Sequence, residues 1–166
     1  MKNSYEGARF FLIATTEKFP DTFSQSIMDV FQIPYSHLAI LVESPEMVFE
    51  STIPTLRECS LKECLDGEGE IIHKIEFTHL MKFSADYAIG HMRSKVGIEY
   101  GFDQMPGLIM RLGQMFGDND LSRLVCSEFA AIEIEHLCGL NLWENEDYVN
   151  PRQCIEDFKK HLKGGL

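Results

Sequence analysis

Positive charge is scarce in this 166-residue chain: 15 Lys and Arg stand against 26 Asp and Glu, a formal net charge of −11. The cations are also scattered, with no cluster to neutralise a phosphate backbone or an anionic lipid surface. Nucleic acid and stable membrane insertion are therefore not expected. Long apolar runs are missing too, since no stretch approaches the roughly 20 residues that span a bilayer. The apolar segment 8–16 is short, follows Glu6 and lacks a basic n-region, so it reads as a strand, not a signal peptide, and the expected compartment is the cytoplasm. A disulfide framework is absent as well. Five cysteines, at 59, 64, 126, 138 and 154, are odd in number and widely spaced, a pattern of reduced thiols. No internal repeat or low-complexity linker interrupts the chain, which is long enough for one well-buried core. A single domain over residues 1–166 is expected.

What is present reads as alternating short strands and helices. Residues 9–14 form a first strand, and residues 24–31 a short helix with Ile27, Val30 and Phe31 on one side and Ser24 or Ser26 as cap. Residues 35–43 and 46–52 are extended runs around Ser44-Pro45 and predict a β-hairpin. The polar stretch 53–69 reads as a connecting loop with a helical turn, and residues 70–77 as another strand. Over residues 78–96 the pattern is helical, with Leu80, Phe83, Tyr87, Ala88, Met92 and Val96 as an apolar stripe, Thr78 as cap and Gly97 as terminator. A methionine-rich helix over 106–116 would place Met105, Met110 and Met115 in the core. Residues 117–120 read as a turn. A last helix over 152–162 has Asn150 as cap and Pro151 at its first helical position.

Two segments carry chemistry. After Cys126, Phe129, Ala130, Ile134 and Leu137 recur at helical spacing, which puts the thiol on the first turn of a buried helix closed near Cys138-Gly139. Unpaired amides and the positive end of the helix dipole there favour a thiolate, and the same amides suit an oxyanion formed at Cys126. In the hairpin, residue numbers summing to about 89 should lie opposite one another. Glu50 then faces Ala39 and lies diagonally near His37, about 7–8 Å away between backbones. A carboxylate so placed orients the imidazole and stabilises its charged form. A nucleophile, a base, an orienter and oxyanion donors together are what acyl transfer by a thiolate requires.

Cysteine offers two other readings. Cys59, Cys64, His73 and His79 form C-x4-C-x8-H-x5-H, but the central spacer is shorter than a zinc finger's and a strand occupies it, so no metal and no cofactor is expected. Redox sensing by Cys126 would need a resolving thiol, and Cys138 is about three turns along the same helix, out of bridging reach.

The order of the pieces resembles the circularly permuted branch of the NlpC-type, papain-fold cysteine hydrolases. The resembling features are Tyr35-Ser36-His37-Leu38-Ala39-Ile40, Val48-Phe49-Glu50-Ser51, Gly97-Ile98-Glu99-Tyr100-Gly101-Phe102, Val125-Cys126-Ser127-Glu128-Phe129 and Tyr148-Val149-Asn150-Pro151. They span about residues 8–155, with the histidine strand ahead of the cysteine helix. The family's first strand opens on Gly-Asp, and Gly7-Ala8-Arg9 stands there instead. The resemblance implies an α+β, permuted papain-like fold, a small curved antiparallel sheet packed on the helix that bears the cysteine. It implies Cys126 as nucleophile, His37 as general base and Glu50 as the residue that orients it, with Tyr100 in the substrate cleft; Tyr35, just ahead of the histidine strand, is a further cleft candidate from its position. The implied activity is hydrolysis of an amide bond in a small peptide-like or N-acyl substrate. The alternatives are a thioester-forming acyltransferase or lipid esterase akin to lecithin:retinol acyltransferase, and an idle module of the same fold used for binding.

Overall fold

The computed structural model describes residues 5–66, 68–100, 123–143 and 149–164. The protein is α+β, built on a curved antiparallel sheet of five strands. These are β1 (Arg9–Thr16), β2 (His37–Glu43), β3 (Met47–Ser51), β4 (Leu56–Cys59) and β5 (Glu70–Glu76), in spatial order β4-β3-β2-β1-β5. Helix α1 (Thr22–Phe31) joins β1 to β2, and the short α2 (Leu61–Cys64) joins β4 to β5. Helix α3 (Ala85–Ser94) follows, and then two short strands, β6 (Glu99–Tyr100) and β7 (Arg123–Leu124), that pair in parallel. Helices α4 (Cys126–Cys138) and α5 (Pro151–Gly164) complete the described elements.

Strand alternation sorts the sheet's side chains into two cores. Phe10, Leu12, Ala14, Leu38, Ile40, Val42 and Phe49 enter the main core, where Phe129, Ala130, Ile134 and Leu137 of α4 pack with them. Phe11, Ile13, Ala39, Leu41 and Val48 face the other way and meet Leu61 and Cys64 of α2. Both faces of β1 and β2 are thus covered, which is why they are nearly continuous apolar runs. Helix α4 has one amphipathic peculiarity: eleven of its thirteen residues are buried, Ser127, Glu128, Glu133 and Glu135 included. Gly139 ends it in the left-handed conformation, at φ 62°, where a side chain would be strained.

The hairpin has the expected register, with Ile40 opposite Phe49 and Leu41 opposite Val48. Elsewhere tertiary contacts change the sequence-based picture. The 53–69 stretch is not a loop, because Leu56–Cys59 pairs along β3, and α2 carries a capping box in which Ser60 and Glu63 satisfy each other's amides. Helix α1 starts earlier than expected, at Thr22, because Asp21 Oδ1 accepts from Ser24 N at 2.7 Å and takes the cap from Ser24 and Ser26. The 78–96 helix is two pieces: a 3-10 turn (Thr78–Leu80) and α3, capped by Ser84. Between them Lys82 N donates to Leu137 O of α4 at 2.8 Å, a bond a continuous helix would forbid. Of the supposed stripe, Ala88 and Met92 are buried, while Phe83 and Tyr87 are 40% and 45% exposed and stack on one another beside His136. Helix α5 starts at Pro151, with Asn150 Oδ1 accepting from Gln153 N at 2.9 Å, as its cap and proline indicate. The methionine-rich helix and the turn at 117–120 fall outside the described residues.

Phe129 links α4 to the sheet with no exposed surface. Phe129→Ala should therefore cost about 3–5 kcal/mol of stability, measured as the shift of the urea midpoint at unchanged slope. A loss below about 1 kcal/mol would contradict the placement of α4 against the sheet.

Candidate active site

His37 opens β2, and Glu50 stands near the end of β3, the neighbouring strand. The hairpin register carries their side chains to the same face, and His37 Nε2 lies 2.6 Å from Glu50 Oε2. The side chain of Cys126, the first residue of α4, is near enough to act on the ring and helps to raise its pKa. With Nε2 taken by Glu50, Nδ1 is the ring nitrogen that remains. Cys126, His37 and Glu50, placed on three elements, are thus brought together.

Glu50 is 2% exposed, and its second oxygen is held as firmly as the first. Arg57, directly across from it on β4, donates from Nε at 2.8 Å and lies at 2.7 Å through Nη2, both to Oε1. Cys59 Sγ is 3.4 Å from the same oxygen. Burial opposes the Glu50 charge, yet His37 and Arg57 outweigh it and hold the carboxyl down at about 2. Burial likewise opposes the charged imidazole, but hydrogen bonds and charge from Cys126 and Glu50 push His37 up to about 10. For the thiols of Cys59 and Cys64, burial and the Glu50 charge act in the same direction, upward.

The Cys126 side is equally constrained. Val125 is the N-cap of α4 and packs with Ile27 and Phe31 of α1, which fixes the direction in which the helix points its first amides. Glu128 Oε2 accepts from Val125 N at 3.0 Å, and the Cys126 amide has no place in the helix's own ladder. Cys126 itself is 3% exposed.

Tyr100 packs against the Ile27, Phe31 and Val125 cluster and lines a cleft of about 290 Å³ with His37, Glu50 and Arg57. Its pairing with Leu124 sets it beside the start of α4, where burial and then the charges of Cys126 and Glu128 raise its phenol. Tyr35 differs: it lies in the main core, its hydroxyl donates to Pro151 O at 3.5 Å, its ring meets His73 edge-on, and it does not line this cleft. His73 and His79 do not join the cysteines. The described group whose ligand atoms converge is His37, Glu50 and Cys64.

Arg57 escapes the sequence reading, and so do the neighbours of Cys64. Arg57 sits in the stretch taken for a loop, although a turn at Ile53-Pro54 places residue numbers summing to about 107 opposite each other and pairs it with Glu50. Cys64 shows in the sequence only through its C-x4-C spacing, which points to His73 and His79 and not to His37 and Glu50. No family model and no curated protein matches the chain. No helix among the described residues is long and apolar enough to cross a membrane.

The charge pair makes stability depend on pH. His37 is raised from 6.5, so its contribution is full below about pH 6.5 and fades as pH climbs toward 10. Glu50 is lowered from 4.5, so its contribution is full above about pH 4.5 and fades toward pH 2. The stability gap between the unaltered protein and Glu50→Gln should be widest near pH 5–6 and shrink by pH 9, read from urea midpoints. A gap that widens with rising pH would refute the pairing.

Proposed function

We propose that the protein is a cysteine hydrolase of permuted papain-like fold, cleaving an amide bond in a small peptide-like or N-acyl substrate. One observation carries this reading: a single imidazole is held by a buried carboxylate and influenced by a cysteine that opens a helix. His37 takes the Cys126 proton, and the thiolate attacks the substrate carbonyl carbon. Amides at the start of α4 receive the oxyanion. Glu50 holds the ring through Nε2 and balances the imidazolium that forms. His37 then gives its proton to the leaving amine, and a Cys126 thioester remains. Water, deprotonated by His37, attacks the thioester, and the acid departs.

The cleft favours the amide substrate over an acyl-chain one. Its lining includes Thr15, Ser36, Asp21, Arg57, Glu63 and Asp66, polar groups that suit a peptide-like molecule better than a hydrocarbon tail. The sequence order, histidine strand ahead of cysteine helix, agrees with the permuted arrangement.

A panel of N-acyl amides and short peptides tests the reading, with turnover and intact mass followed together. The expected result is hydrolysis of at least one member and an acyl adduct on Cys126 at early times. Cys126→Ala should abolish both, and His37→Ala and Glu50→Gln should each lower kcat/KM by roughly 10²–10⁴-fold. Turnover that survives Cys126→Ala would exclude this mechanism.

A further inference from the structure

The hydrolase reaction has no use for the C-x4-C pair, yet both thiols lie against its carboxylate. Cys59 ends β4 and contacts Glu50 Oε1, and Cys64 ends α2. The Cys64 sulfur, a Glu50 oxygen and a His37 ring nitrogen all lie within 4.8 Å of one another. Among the described residues no other three His, Cys, Asp or Glu side chains converge in this way. An imidazole nitrogen, a carboxylate oxygen and a thiolate sulfur are the donors zinc(II) takes, at about 2.0–2.3 Å. Such bond lengths put donor atoms roughly 3.3–3.8 Å apart in a tetrahedral site. The His37–Glu50 pair has to open, and the sulfur to close, by only about 1 Å.

We infer that His37, Glu50 and Cys64 form a binding site for zinc or a similar borderline-soft divalent cation, and that a bound ion disables His37 as a base. The three residues line the open cleft, so an ion reaches them from solvent, and water fills the fourth position. Arg57 stays on Glu50 Oε1, the oxygen turned away from His37. On binding, the ion replaces the proton between His37 Nε2 and Glu50 Oε2, and the Cys64 thiol proton leaves with it. An imidazole held through Nε2 retains its Nδ1 proton and does not deliver it to a leaving amine as an imidazolium does. This second half rests on the hydrolase reading; the binding itself does not.

The test separates the two. Reduced Cys126→Ser protein, which lacks the nucleophile, is titrated with Co²⁺ and the absorption spectrum recorded. One ion per chain with a sulfur-to-cobalt charge-transfer band is expected, displaced by Zn²⁺. Adding Cys64→Ser should remove the band and weaken binding by about tenfold or more. Glu50→Gln, which keeps both the thiol and the imidazole, should also weaken binding by at least about tenfold, and carries the test if Cys64→Ser misfolds. No charge-transfer band with Cys126→Ser, or an undiminished one after Cys64→Ser, overturns the site. With a turned-over substrate, Zn²⁺ should stop the unaltered enzyme and Cys64→Ser should tolerate at least tenfold more. Equal inhibition of both overturns the disabling of the base. Tight binding by a chain that turns over nothing leaves the site standing and removes the hydrolase reading instead.

Discussion

A carboxylate almost without solvent contact has to be surrounded by donors, and in this protein that demand falls on Glu50. Two cationic groups answer it from opposite sides, His37 on one oxygen and Arg57 on the other. Each comes from a strand adjacent to that of Glu50, so pairing of β2, β3 and β4 and satisfaction of the carboxylate are one event. Losing one partner leaves the buried charge incompletely compensated, and this ties the sheet's edge to the chemistry of its face.

The imidazole is the link from that edge to the helix. Held through Nε2, it is also influenced by the first residue of α4, a helix anchored by Phe129, Ala130 and Ile134 in the main core and by Val125 against α1. Position and direction of the thiol are thereby set by packing that has no chemical role. In the proposed reaction this rigidity keeps base and nucleophile in register without a cost at each turnover. The same closeness brings the Cys64 sulfur near the ring and the carboxylate together, the three groups of the inferred cation site.

Local signals made much of this legible from residues alone. The Ser44-Pro45 turn sets the hairpin register, so the pairing of Glu50 with the His37 strand follows from counting, and apolar spacing after Cys126 places the thiol on a first turn. What stayed hidden depends on contacts between distant segments. Leu56–Cys59 contains one apolar side chain buried in the core and becomes a strand only by pairing with β3, which concealed Arg57. The break at Lys82 comes from the carbonyl of Leu137, far away in sequence. Tyr35 precedes the histidine strand but turns into the core, where its aromatic ring is worth more than in the cleft.

The most direct test of the central claim, that Cys126 and His37 act as a thiolate–imidazole pair, is iodoacetamide alkylation of each cysteine against pH. Peptide mass spectrometry follows the label in the unaltered protein and in His37→Ala. The pair predicts that Cys126 alone reacts rapidly below about pH 7 and loses that reactivity without His37. A Cys126 equally inert in both proteins would contradict it.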